Sequence, residues 1–156
     1  MACEIRIAGI EPESVVDGEG IRYVVFVQGC PHRCPGCHNP ETHPFDGGRE
    51  ADIEELFAEI RENPLLKGVT FSGGEPFCQP KPLAELARRV HGIGRDVTTY
   101  TGYLYEDLLN MPDPDVAALL AQTDTLIDGP FILAEKDLTL PFRGSRNQRI
   151  IKLTAK

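Results

Sequence analysis

Three cysteines crowd into eight positions, Cys30-Pro31-His32-Arg33-Cys34-Pro35-Gly36-Cys37, at the spacing C-x3-C-x2-C. Structural tetrahedral metal sites use four ligands, and a site with three protein ligands keeps a position open for chemistry. Iron–sulfur clusters are normally closed by four thiolates. A cubane held by Cys30, Cys34 and Cys37 alone would leave one iron free to bind a substrate or cofactor. A second polar motif is Gly73-Gly74-Glu75-Pro76. Paired glycines let a ligand approach the backbone because no Cβ intervenes. The carboxylate that follows can accept hydrogen bonds from an ammonium group. Taken alone, this tetrapeptide reads as a tight turn with an exposed glutamate. It gains weight from the upstream cysteines.

These motifs need elements to position them. Arg22-Tyr23-Val24-Val25-Phe26-Val27 is β-branched and aromatic without polar alternation, as in a parallel strand covered on both faces. The cysteine loop leaves its C-terminal end. Ile5 to Ile10 reads as an edge strand, and residues 38–48 as loop. Ile53, Leu56, Phe57 and Ile60 recur at helical spacing, and Asn63-Pro64 stops that helix. Gly68 to Phe71 is a short strand running into the glycine pair. Leu83, Leu86, Ala87 and Val90 mark a second helix, closed by Gly92 and Gly94. Asp96 to Tyr100 is the next strand, and Tyr105 to Asn110 a short helix. Asp113-Pro114 opens another helix, with Asp as cap and Pro in the first turn. Thr125 to Ile127 and Arg149 to Leu153 are the last strands.

Alternating strands and helices mean parallel β/α units, whose sites lie at the carboxyl ends of the strands. Cys30, Gly73-Gly74-Glu75, Thr101-Gly102 and Asp128-Gly129 all follow a strand. An eight-stranded barrel takes about 250 residues. The 156 residues here predict an α/β fold of about five or six mostly parallel strands, an incomplete, open β/α barrel in one domain, 1–156. An open sheet of Rossmann-like order is the alternative.

Composition narrows the function. A net charge of −8 argues against nucleic acid and anionic membrane surfaces as partners. No apolar run approaches the ~20 residues of a membrane span. Met1-Ala2-Cys3-Glu4 lacks the features of a secretory signal, which points to the cytoplasm. Five cysteines, an odd number with three clustered, suit a metal site rather than a disulfide framework. Cys3 and Cys78 read as small half-buried apolar side chains.

The cysteine motif followed by Gly-Gly-Glu-Pro resembles the radical S-adenosylmethionine superfamily. Within it, Gly29 to Pro40, Thr101-Gly102-Tyr103, Asp128-Gly129-Pro130-Phe131 and Arg143-Gly144-Ser145-Arg146-Asn147-Gln148 resemble the activating proteins of anaerobic (class III) ribonucleoside-triphosphate reductases. Gly36 departs from the wider superfamily, where an aromatic residue commonly precedes the third cysteine, and agrees with this narrower branch. The resemblance implies a [4Fe–4S] cluster on Cys30, Cys34 and Cys37, with S-adenosylmethionine chelating the fourth iron. Glu75, or the carbonyls of Gly73 and Gly74, would hold its amino group. Backbone at Gly36, Cys37 and His38 would lie along its methionine or adenine part. The implied activity is reductive cleavage to a 5′-deoxyadenosyl radical, which makes a glycyl radical on the reductase large subunit. The implied electron donor is flavodoxin-like or ferredoxin-like.

Two other readings stay open. One is activation of another glycyl-radical enzyme, such as pyruvate formate-lyase, or a small-molecule role such as 7-deazaguanine synthesis. The other is a zinc-binding interaction module closed by His38 or His43. Thr98, Tyr100, Thr101 and Asp128 read equally as cofactor contacts or as strand-end capping. Arg143, Arg146, Arg149 and Lys152 read as a solvated strand and loop, or as a partner contact. His32 reads as a polar loop residue, and His91, like His43, as a surface residue.

Overall fold

The other strands are laid out from Arg22–Val27, the apolar run that precedes the first cysteine. A computed structural model of the chain describes residues 4–32, 44–137 and 139–153. Its strands are β1 (Glu4–Ser14), β2 (Arg22–Val27), β3 (Arg49–Asp52), β4 (Gly68–Gly73), β5 (Asp96–Tyr100), β6 (Thr125–Asp128) and β7 (Arg149–Lys152). Its helices are α1 (Ile53–Glu62), α2 (Pro80–Gly92), α3 (Tyr105–Leu109) and α4 (Pro114–Gln122). The strands form one seven-stranded sheet in the order β3-β1-β2-β4-β5-β6-β7. β2, β4, β5 and β6 are parallel, whereas β1 and β7 flank them antiparallel. β3 is antiparallel to β1 and so runs with β2.

The two faces of the sheet differ because the strands after β2 alternate. In register, Val25, Phe71, Thr99 and Leu126 share one face, and Val24, Thr70, Thr98 and Thr125 the other. Apart from Thr99, whose hydroxyl bonds that of Thr123, the first face is apolar and packs against Leu56 and Ile60 of α1, Leu83, Leu86 and Val90 of α2, and Leu119 of α4. At nine residues α4 is too short to be stable alone. Burial of side chains such as Val116 and Leu119, worth about 2 kcal/mol each, is what holds it. Side-chain caps start α1 and α4. Asp52 Oδ1 accepts from Glu54 N at 2.9 Å, and Asp113 Oδ1 from Asp115 N at 2.8 Å. The second face is polar and is covered by loops. Thr70 Oγ1 donates to Asp17 O, and Tyr100 Oη to Phe142 O, both at 2.7 Å.

The sheet is larger than the five or six strands expected, and β1 is interior rather than an edge. The edge is β3, in a region read as loop and helix start. Arg49-Glu50-Ala51-Asp52 has neither alternation nor β-branched residues, and pairing with β1 from Glu4↔Asp52 to Ile7↔Arg49 makes it a strand. A further feature lies opposite the carboxyl ends of the parallel strands. Arg22 is 1% exposed, donates to Thr70 Oγ1 and Val69 O at 2.7 and 2.6 Å, and pairs with Asp96 at 2.6 Å. It clamps the starts of β2, β4 and β5. Replacing Arg22 with Met removes these bonds from buried acceptors, with an expected loss of roughly 3 kcal/mol. Urea denaturation checks it: the midpoint falls while the slope is unchanged.

Candidate functional site

The carboxyl ends of β2, β4 and β5 meet around one carboxylate. Glu75 has no solvent exposure, and both its oxygens are saturated. Oε1 accepts from His32 Nε2 at 2.6 Å and from Gly102 N at 2.8 Å. Oε2 accepts from Thr101 Oγ1 at 2.8 Å and from Phe77 N at 3.1 Å. A buried carboxylate is tolerated only when so bonded. The main chain adds to this, as Gly74 N donates to Val27 O and Glu75 N to Gly29 O, both at 2.8 Å. The glycine pair is therefore tied to the strand that launches the cysteine loop.

Gly73 shows why glycine is needed here. Its φ is +96°, and a Cβ would lie 2.6–2.7 Å from the backbone N and O of Val27. At this position the close neighbour is β2 itself. At Gly102 an added Cβ would collide with the His32 ring.

Beside this junction lies a cavity of about 380 Å³, within the ~300–1,000 Å³ of small-molecule sites. Cys30, Gly73, Gly74, Tyr100 and Thr101 line it on the strand-end side, and Phe131, Phe142 and Arg143 elsewhere. Cys30 is 9% exposed and carries a thiol, not a disulfide. The segments 128–131 and 143–148, singled out separately in the sequence, come together on this wall. Gln148 Oε1 accepts from Gly144 N at 2.8 Å, and Asn147 Nδ2 donates to Pro130 O at 2.8 Å. Phe142 has φ +65°, rare for a bulky residue, and its carbonyl is held by the Tyr100 hydroxyl. Arg143 Nη1 donates to Gln148 O at 3.1 Å, and its buried Nε has no hydrogen-bond partner among the described residues.

Other sequence readings are sorted by this geometry. Glu75 lies behind the cavity wall rather than on it. Thr98 lines a different, smaller hollow with Arg22 and Asp96. Asp128 has no exposure and accepts from Tyr105 N at 2.8 Å and Arg149 Nε at 3.0 Å, so its role is structural. Arg149 is also paired with Glu106, and Lys152 with Glu19, which leaves less of a basic patch than the sequence suggested. His91 is half-buried rather than a surface residue, with Gln122 Oε1 and Asp124 Oδ2 each 2.7 Å from its ring nitrogens. Cys34, Gly36, Cys37, His38 and His43, with Cys3, lie outside the described residues. Among the described residues, no three His, Cys, Asp or Glu side chains converge as a metal site. No described helix is long and apolar enough to cross a membrane. The residue that sequence reasoning undervalued is His32. Its position two residues after Cys30 was the available signal.

Comparison with known proteins agrees with the motifs. The family model "4Fe-4S single cluster domain" matches residues 16–151. The anaerobic ribonucleoside-triphosphate reductase-activating protein of Haemophilus influenzae is 34% identical over 148 residues, covering 89% of this chain and 92% of that protein. This chain belongs to the reductase-activating protein family. The pyruvate formate-lyase-activating enzyme of Clostridium pasteurianum is 43% identical over 118 residues, 69% of this chain but 49% of that enzyme. Among solved structures, QueE from Escherichia coli superposes with a TM-score of 0.51 at 21% identity. The match covers 64% of this chain and 52% of QueE, and it bears on the fold alone.

The chain can be tested for fit to the four-iron cluster its family model names. Cys30 supplies a soft thiolate donor at the carboxyl end of β2, on the wall of a ligand-sized cavity shared with the glycine pair. In this activating-protein chain Cys78 is different. It follows Glu75 on a single 3-10 turn, Pro76–Cys78, and is exposed, not half-buried as expected. Desolvation of its sulfur, together with the Glu75 and Cys30 charges, pushes the thiol up to about 11. A raised value means less thiolate at neutral pH, about one in a thousand at pH 8. Iodoacetamide labelling with peptide mapping is expected to leave Cys78 nearly unmodified at pH 8. Its labelling rate should rise with pH toward about 11.

Proposed function

We propose that this chain is the activase of an anaerobic ribonucleoside-triphosphate reductase, a radical S-adenosylmethionine enzyme whose substrate is the reductase large subunit. The observation that carries the reading is the shared cavity of Cys30 and the Gly73-Gly74 turn, in a chain related along most of its length to reductase-activating proteins. Cys30, Cys34 and Cys37 would hold a [4Fe–4S] cluster. When bound, the cluster and S-adenosylmethionine would supply the radical chemistry that removes hydrogen from a backbone glycine of the reductase.

The chain's own residues bind, orient and exclude water. The backbone of Gly73 and Gly74 would accept the amino group of S-adenosylmethionine. Glu75, whose oxygens already take four donors, would fix that turn from behind. Backbone at Gly36, Cys37 and His38 would lie along the methionine or adenine part. The wall made by 128–131 and 143–148 would shield the cavity from bulk water.

The sheet order supports reading the fold as an incomplete β/α barrel in a single domain, 1–156. Parallel strands β2-β4-β5-β6 follow one another without the reversal that puts helices on both faces of a Rossmann sheet. The loop-covered polar face would then be the barrel interior, open at one side to a peptide loop of the reductase. A flavodoxin-like or ferredoxin-like donor would supply electrons, in the cytoplasm.

One observation favours a second reading, activation of a pyruvate formate-lyase-type enzyme: the 43% identity to such an activase over 118 residues. The coverage of only 49% of that enzyme favours the reductase. The test mixes anaerobically reconstituted protein, dithionite and S-adenosylmethionine with either partner, and reads electron paramagnetic resonance. A glycyl-radical doublet on the reductase is expected, lost when any one of Cys30, Cys34 or Cys37 is changed to Ala. Methionine release with a radical only on the lyase would overturn the assignment.

A further inference from the structure

The structure assigns His32 a positioning role: with Glu75 it forms a latch that seats the start of the cysteine loop on the ends of β4 and β5. The inference about the cluster rests on the proposed function, whereas the latch itself rests on geometry alone. Three of the four donors to Glu75 come from distant chain: His32, Thr101 and Gly102 lie 43, 26 and 27 residues away. His32 is the one donor among these supplied by the cysteine loop.

The ring is fitted to its place by more than this bond. Its side chain is 16% exposed. It meets Tyr103 edge-on, with centroids 4.5 Å apart and planes at 77°. It also occupies the space that a Cβ at Gly102 would need. Packing and bond together leave the imidazole one seat, between the turn after β5 and the carboxylate.

Sequence distance converts this seat into a constraint on the metal ligands. His32 stands two residues after Cys30 and two before Cys34. Fixing it restricts where the backbone carrying the Cys30 sulfur can go. Preorganising ligands in this way strengthens metal retention without adding a ligand, as partners behind metal-binding residues commonly do. His32 also lines the cavity beside Cys30, and the role assigned to it is to position the Cys30 backbone.

The test compares wild type with His32→Ala, His32→Gln and His32→Phe. Gln can still donate to Glu75, whereas Phe keeps a ring against Tyr103 but cannot donate. The first readout needs no metal: hydrogen exchange of the Gly102 amide in the metal-free chain. The second is the rate at which reconstituted protein loses iron to a chelator. A bond to a buried carboxylate corresponds to about tenfold or more in an opening equilibrium. His32→Ala and His32→Phe are thus expected to raise both rates at least about tenfold, and His32→Gln to restore most of the loss. Wild-type rates in His32→Ala would overturn the latch. So would Gln behaving like Phe, the comparison that decides if the Ala variant does not fold. If the wild type binds no iron, the proposed function fails, while the Gly102 exchange still tests the latch.

Discussion

A carboxylate with no access to water is the constraint on which the strand-end architecture rests. Isolated in a protein interior, such a group costs several kcal/mol. Glu75 avoids that cost by accepting four hydrogen bonds, and the donors are spread over its own turn, the turn after β5 and the cysteine loop. Each segment is thereby held relative to the others by a side chain that touches no solvent. Loss of any donor leaves a lone pair unsatisfied, so the penalty for loosening the junction falls on a buried charge. This is how a chain of modest core size keeps three polar loops in register.

The sheet divides the work between its faces. Toward α1, α2 and α4 it presents Val25, Phe71 and Leu126, and burial there supplies stability. Toward the loops it presents Thr70, Ser72 and Tyr100, side chains that can bond to whatever covers them. The same alternation that places apolar residues under the helices therefore leaves a polar floor beside Cys30. At the opposite ends of β2, β4 and β5, Arg22 makes a second buried polar junction with Thr70, Val69 and Asp96. β2, β4 and β5 are thus held at both ends by charged groups and along their length by apolar packing.

Much of this was legible in the sequence, and the limits have physical causes. β2 ends where its apolar run ends, β5 spans the residues the sequence assigns to it, and Asn63 and Asp113 close and open helices where residue type places them. These are local effects. β3 was missed because Arg49 to Asp52 becomes a strand only through its partner β1. Glu75, read alone as an exposed turn residue, is buried because its donors Thr101, Gly102 and His32 come from remote sequence. His91 looked like a surface residue because Gln122 and Asp124 meet it only after α2 packs beside α4. The motifs themselves were readable as chemistry, and the comparisons place the chain in the family they suggested. What sequence spacing could not convey is which motif residues face a ligand and which hold the others in place.

The proposed function requires Cys30, Cys34 and Cys37 to leave one corner of a four-iron cluster to a small-molecule cofactor. Mössbauer spectroscopy of anaerobically loaded, ⁵⁷Fe-enriched protein tests this most directly. Addition of S-adenosylmethionine is predicted to shift the signal of a single iron site while the others keep theirs. Spectra unchanged by the cofactor, or a protein that takes up zinc and no iron under the same conditions, would contradict it.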